Sequence, residues 1–281
     1  MSTMTSLIDP TLYDALMTRR SVRRYRPEPL PDAVLDRIRA LPDGIQPLIP
    51  ENEFHVDVRK DMRVDRSMLR AFGAYGAVVN PPHALIPYIS GARRPLVDWG
   101  YRTQQLMIGI TRLEIGSCYI GVVGRQPSVR RRLDLPHNAH LGALLIFGQP
   151  LRSLTETPSD KKRLHIEEIS FEGSFDHPAS PGENLLPILQ AARRAPSAVN
   201  TQPWRFLWQD PWLHLFVQRH NRSYLSRATQ PYRYVDGGIV MANIHLALQA
   251  VGRSGAWAMP SGDDTPDHPS SLEHLASMQL A

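Results

Sequence analysis

Helical and strand spacings of apolar residues alternate along this chain. Leu12, Leu16 and Met17 follow Asp9 and Pro10, a capping residue and a first-position proline. This pattern predicts a helix running into Arg19 and Arg20. A proline-rich break, Pro27 to Pro31, precedes a second helix with Val34, Leu35, Ile38 and Leu41 on one face. Phe54-His55-Val56-Asp57-Val58 alternates as a strand does, and Ala84 to Ile89 reads as another, interrupted by Pro87. Leu141 to Gly148 is nearly continuous in apolar residues, as a central strand requires. Ser153 to Asp160 is polar and predicts a connecting loop. Gly262 onward, rich in Asp, Pro and Ser, predicts a surface tail.

Two stretches repeat a pattern. Asp98-Trp99-Gly100 opens a helix through Leu106, Met107, Ile110 and Leu113 to Gly116, and Asp236-Gly237-Gly238 opens one through Val240, Ile244, Leu248 and Val251 to Gly252. The elements before them correspond as well, with Leu35–Leu41 then Phe54–Val58 set against Leu185–Ala192 then Arg205–Trp208. Such repetition reads as a duplication with halves at 1–160 and 161–281 forming one integrated unit. Recurring helix–strand units of an ordinary α+β protein are the plainer alternative. From Gly237 to Gly252 the chain carries no formal charge, so that helix should be buried and should pack on its counterpart.

Composition narrows the picture. A hydrophobic fraction of 42% with 21% charged residues is that of a soluble globular chain. The Gly237–Gly252 stretch falls short of the roughly 20 residues needed to cross a bilayer. With no basic-then-apolar leader in view, the expectation is a cytoplasmic protein without membrane contact. A single cysteine, Cys118, leaves no disulfide framework and no cysteine metal cluster, and reads as a small buried residue. His137 and His140 form His-x-x-His in a loop without a carboxylate motif, so no metal is expected. The net charge of +5 is scattered arginine, Arg130-Arg131-Arg132 being the longest run, and lacks the aromatic interleaving of a nucleic-acid surface. A mildly basic site for a phosphorylated small molecule fits better.

Two motifs could supply that site. Arg19-Arg20-Ser21-Val22-Arg23 places guanidinium forks and a hydroxyl at a helix end, suited to phosphate oxygens. Alone, the run fits a solvated, dipole-complementing helix end better, since charged helix ends are common. Pro196-Ser197-Ala198-Val199-Asn200-Thr201-Gln202-Pro203-Trp204 is a stiff loop that presents hydroxyl and amide groups, apt for the edge of a heterocyclic ring. Gly116-Ser117-Cys118-Tyr119-Ile120-Gly121 allows close backbone approach to a ligand. Lys161-Lys162-Arg163 reads either as a solvated run or as further phosphate clamps.

In this order the motifs resemble the nitroreductase family, specifically its tandem TM nitroreductase branch, over roughly residues 10 to 257. The resemblance implies an α+β, nitroreductase-like three-layer fold with a mostly antiparallel central sheet, as two tandem half-domains in an internal pseudo-dimer. It implies one FMN per chain and two-electron transfer from NAD(P)H to nitroaromatic, quinone or similar acceptors by a ping-pong mechanism. Arg19, Arg20, Ser21, Arg23 and Lys162 or Arg163 would hold the phosphate and ribityl chain. Pro196, Ser197 and Asn200 would border the flavin ring, and the backbone of Ser117, Cys118, Tyr119 and Ile120 would face flavin N5. The cofactor carries the chemistry, so no side chain is expected to be catalytic. Pro42 to Pro50 stands where the first half would carry its own Pro-Ser-x-x-Asn, and the second half lacks Arg-Arg-Ser, which argues against a second site. A monomer, or a weak homodimer, would suffice. A flavin-sequestering protein with little turnover, and a relic without flavin, remain open alternatives.

Overall fold

A computed structural model describes residues 10–60, 81–152, 154, 162–180, 182, 185–260 and 265–280. The Asp9 cap, Lys161 and nearly all of the 153–160 segment lie outside them. In chain order the elements are α1 (Pro10–Thr18), α2 (Asp32–Ala40), β1 (Glu53–Arg59), β2 (His83–Ser90), α3 (Pro95–Arg112) and β3 (Gly116–Gly121). Then come α4 (Gln126–Leu133), β4 (Ala139–His140), β5 (Ala143–Gly148), α5 (Ile166–Ile169), β6 (Ser170–Glu172) and α6 (Leu186–Arg194). The last are β7 (Trp204–Gln209), β8 (Trp212–Gln218), α7 (Tyr232–Ala250), β9 (Trp257–Ala258) and β10 (Leu272–Gln279).

The strands form two sheets, β1-β2-β5-β3 with β4 paired to β2, and β6-β7-β8-β10-β9. Every ladder is antiparallel except β6 with β7. Pro87 does not break β2. It pairs with β1 opposite Val56, while β5 joins β2 only up to Leu85 and β4 only from Ile89. The proline therefore occupies a gap in the ladder, where a missing N–H costs nothing.

In the first sheet the period of two sorts side chains to two cores. Leu85, Leu145 and Phe147 face α2 and α3, while Ala84, Ile86, Leu144 and Ile146 face α4 with Val22 and Tyr25. Helices thus cover both faces of this sheet, in three layers. The second sheet differs. Its inner face packs on α6 and α7, but its outer face carries Leu207, Phe216 and Leu272 covered by Phe171 and Phe175, with no helix among the described residues. The expected surface tail is also corrected, because β10 lies in the interior of this sheet between β8 and β9. Leu272, Leu275, Ala276 and Met278 are buried there, which outweighs the polar composition around them.

Helices α3 and α7 pack against each other between the two sheets, and α1 lies against α3, α6 and α7. Glycines set how closely the pair approaches. A Cβ on Gly100 would sit 2.2 Å from the Val235 carbonyl oxygen, and one on Gly238 would sit 1.9 Å from that of Val97. The contacts are reciprocal, so Gly238 and not Gly237 is the packing counterpart of Gly100. Polar groups tie the pair: Gln104 Nε2 donates to Asn243 Oδ1 at 2.7 Å, and Asn243 Nδ2 donates to the Ala191 carbonyl at 2.7 Å.

Candidate functional site

The residues after α1 run along the free edge of β3. Ser21 bridges Ser117, the Val22 N–H donates to the Ser117 carbonyl at 2.9 Å, and Tyr25 bridges Pro150. Val22 and Tyr25 turn inward, and a Cβ on Gly116 would strike the Val22 side chain at 2.9 Å. Two inward anchors thus fix the arginines between and before them. Arg23 is exposed and Arg20 half-buried, while Arg19 is only 5% exposed. Its guanidinium Nε and Nη1 are buried without a hydrogen-bond partner. Burial, reinforced by Arg23, pushes its pKa below the usual arginine value. A buried cation left unsatisfied is costly unless something anionic joins it.

The second motif is a strained loop held at many points. Val199, Asn200 and Gln202 have φ of 46°, 59° and 48°, a left-handed conformation that costs about 1–3 kcal/mol each for such residues. Side chains compensate. Ser197 Oγ accepts from the Gln202 N–H at 3.0 Å, and Gln202 Oε1 accepts from the Leu164 N–H at 3.0 Å. Asn200 Nδ2 and Gln202 Nε2 both donate to the Lys162 carbonyl, at 2.7 and 3.1 Å. On the other side Asp236 of α7 accepts from the Ala198 N–H at 3.0 Å, from Tyr224 Oη at 2.8 Å and from Thr201 Oγ1 at 3.3 Å.

Both motifs meet at two adjoining cavities. One, about 380 Å³, is lined by Arg19, Arg20, Arg163 and Arg194 along with Asn200. The other, about 280 Å³, is mainly apolar and is bounded by Cys118, Tyr119, Val235 and Ile239. Ser21, Arg23, Pro196, Ser197 and Val199 line both. The result is a basic chamber adjoining an apolar slot, able to take a ligand with an anionic end and an apolar end. No group of three or more metal-ligating side chains occurs among the described residues.

Most of the sequence-derived candidates converge here, with differences of role. Ser117 and Ile120 are core residues outside the cavity lining; the former supplies its carbonyl to Val22. Lys162 is exposed and contributes its backbone carbonyl to the loop. The Arg163 guanidinium donates to the Ala195 and Arg194 carbonyls at the end of α6, at 2.7 and 3.3 Å, while still lining the basic chamber. Cys118 is buried and burial pushes its thiol up, so it is an inert wall. Tyr119 is raised by burial too, and its hydroxyl donates to Gln104 Oε1 at 3.0 Å.

Sequence reasoning missed Arg194, Asp236 and the segment from Ser223 to Tyr232. Tyr224, Leu225 and Thr229 wall the apolar slot. Leu225 is 90% exposed with φ 68° and ψ −43°, at the centre of a turn closed by the Ser226 N–H on the Tyr224 carbonyl at 2.8 Å. This is the rarer, strained γ-turn form. Asp236 is 1% exposed, and burial raises its carboxyl pKa to about 7 against the lowering effect of Tyr224, Ala198 and Thr201. The available signal was the carboxylate of the second Asp-x-Gly triplet, placed just before an uncharged run.

A sequence model of the family described as "Putative TM nitroreductase" matches residues 11–250. The chain is similar to a solved structure from Thermotoga maritima described as a putative nitroreductase, with 18% identity and a TM-score of 0.60, covering 96% of this chain and 93% of that one. A structure from Bacteroides thetaiotaomicron, described as a putative NADH dehydrogenase/NAD(P)H nitroreductase, is 18% identical with a TM-score of 0.47 and covers 56% of this chain and 95% of its own. A further one, described as an FMN-dependent nitroreductase from Clostridium difficile, is 20% identical with a TM-score of 0.44, over 54% of this chain and 96% of its own. No curated protein matches the chain.

Proposed function

The chain belongs to the TM nitroreductase family, and from that premise we propose that it is an FMN-dependent oxidoreductase. In this reading it moves two electrons from NAD(P)H to nitroaromatic, quinone or similar acceptors. The observation that carries the proposal is Arg19, whose buried Nε and Nη1 lack partners at the wall of a five-arginine chamber. A phosphate group fits this donor set, since guanidinium forks match its oxygens and a charged partner would offset the burial of Arg19. Arg20, Arg23 and Ser21 would hold the same end. Pro196, Ser197 and Tyr119 would bound the ring in the apolar slot, with the Cys118–Tyr119 backbone along one edge.

When bound, FMN supplies the two-electron chemistry itself. The chain's part is to orient it, to exclude water with Tyr224 and Val199, and to leave one face open. A single open face serves donor and acceptor in turn, which is the basis of the ping-pong scheme. The experiment is anaerobic mixing of the FMN-loaded protein with NADPH. Bleaching of the flavin absorbance, recovered on adding a quinone, is the expected result; colour that persists at saturating NADPH and NADH contradicts the reductase reading. The Tyr224–Thr229 wall of the slot favours a second reading, a flavin-sequestering protein with little turnover, which that persistence would support.

We also propose that the two halves, 1–160 and 161–281, are duplicated units in an internal pseudo-dimer. Support comes from residues 138 positions apart in matching roles. Gly100 meets Val235 as Gly238 meets Val97, and Glu114 and Gly252 both take left-handed φ after their helices. Asp98 receives the Leu48 and Ile49 N–H groups as Asp236 receives that of Ala198. One half then contributes the arginine motif and the other the proline–serine loop, giving one site per chain and no need of a second chain.

A further inference from the structure

The two buried aspartates at matching positions have different electrostatic surroundings. Asp98 is 0% exposed and ion-paired to Arg102, one helical turn on, at 3.0 Å. The position one turn beyond Asp236 is Val240, and no ion pair to Asp236 occurs among the described residues. A buried carboxylate without a counter-ion is relieved either by taking a proton or by reaching water. Its bonded partners are the two segments that close the apolar slot, the 197–202 loop through Ala198 and Thr201, and the 222–226 turn through Tyr224. Thr201 Oγ1 also lies 3.1 Å from Tyr224 Oη. Hydroxyls can donate or accept, so this triangle can stay satisfied when the carboxyl carries a proton.

We propose that Asp236 is a positioning residue that works as a proton-controlled latch, holding both walls of the slot closed when its carboxyl is protonated and releasing them when it ionises. The titratable and charged groups around it are Tyr224 from the turn, Tyr119 and Cys118 from β3, Arg23 from the arginine motif, and Tyr232 and Arg233 from its own helix. Burial raises Tyr224, Tyr119 and Cys118, moving them away from neutrality. Asp236 itself is raised to about 7, so it is the group here whose charge changes across neutral pH. The direction follows from linkage. The closed form binds the proton at higher pH than an opened, solvated form, so closure tightens as pH falls towards the ordinary carboxylate range. For one proton the opening equilibrium rises roughly tenfold per pH unit between about 5 and 7, then levels off.

The latch rests on the reading of the slot as a ligand site, so the test begins without ligand. Hydrogen–deuterium exchange is followed at pH 5 to 8.5 on the unliganded chain, corrected for intrinsic exchange, in peptides covering 197–202 and 222–230. Protection should fall with rising pH and plateau near 8. In Asp236→Asn the pH dependence should vanish. In Tyr224→Phe the plateau should move to higher pH, because the lost hydroxyl bond had favoured the ionised carboxylate. Protection that is flat or rises with pH in the unaltered chain, or a plateau unmoved by Tyr224→Phe, overturns the latch, even if Asp236→Asn does not fold. A second arm measures release of riboflavin, which lacks the titrating phosphate, and should show faster release at pH 8 than at pH 6 by up to about tenfold. Equal release rates contradict the latch. If neither FMN nor riboflavin binds at any pH, the cofactor reading fails, and the exchange series decides the latch alone.

Discussion

Arg19 shows how one side chain can distinguish a binding site from a charged helix end. An arginine kept for stability would have its nitrogens paired, and removing it would then cost several kcal/mol. Arg19 instead leaves Nε and Nη1 unpartnered at 5% exposure. Arg19→Ala should therefore leave the unliganded protein's stability within about 1 kcal/mol, because an unsatisfied buried charge is itself unfavourable. FMN binding should weaken by about 1.5–3 kcal/mol, the range of a charge-assisted hydrogen bond. Riboflavin, which has no phosphate, should bind nearly as before. Titration of both ligands by flavin fluorescence, beside urea unfolding, checks this; equal losses for the two ligands contradict a phosphate contact. The arginine motif and the Pro196–Asn200 loop were legible in the sequence because residue types state their chemistry. The role of Asp236 was not legible, since it depends on Ala198, Thr201 and Tyr224 converging from three parts of the chain.

At the scale of elements, the α3–α7 contact depends on backbone approach. In Gly238→Ala the new Cβ would lie 1.9 Å from the Val97 oxygen and 2.8 Å from the Tyr101 nitrogen, both backbone atoms. Alanine's helix preference of about 1 kcal/mol over glycine cannot offset that overlap, so a net loss of about 2 kcal/mol or more is expected from the urea midpoint. Gly44→Ala, with nothing within 4 Å, should be close to neutral. A neutral Gly238→Ala would mean the helices are not packed as described. The outer face of the second sheet carries a pH-sensitive group. His274 is lowered to about 4, first by burial and then by His214, His268 and Arg94, and its Nε2 lies 2.9 Å from Ser277 Oγ. A folded pKa below the unfolded one near 6.5 means the contribution is present above pH 6.5 and is lost as pH falls towards 4. A loss of about 1–2 kcal/mol over that window is expected, and His274→Leu should flatten this arm of the stability–pH curve. An unchanged curve contradicts it. The paired helices were legible because apolar spacing and the absence of charge reach across whole turns. β10 was not, because the bulge between His274 and Ala276 breaks the alternation and polar residues 262–271 lead into it.

For the whole molecule, two sheets drawn from opposite sides of residue 160 flank one helix pair, and the arginine motif of one side shares its cavities with the loop of the other. The separation of the motifs by some 175 positions was visible in the sequence, as was the lack of a second copy of each. That the second sheet has no helix layer on its outer face among the described residues was not visible, since the Phe171–Phe175 cover carries no periodic signal. On the proposed pseudo-dimer, the absence of a second site would have a physical counterpart, because Arg102 donates to the Ile49 and Asn52 carbonyls at 2.9 and 3.0 Å and ties down the 49–52 stretch. The proposed function requires one composite FMN site per chain, with residues from both sides of residue 160. Its most direct test is the ratio of bound flavin to chain, from absorbance after reconstitution with excess FMN and removal of free cofactor, with the chain's mass in solution measured alongside. One FMN per chain, held by the monomer as well as by any dimer, is the predicted result. Two per chain, none, or one per two chains would contradict it.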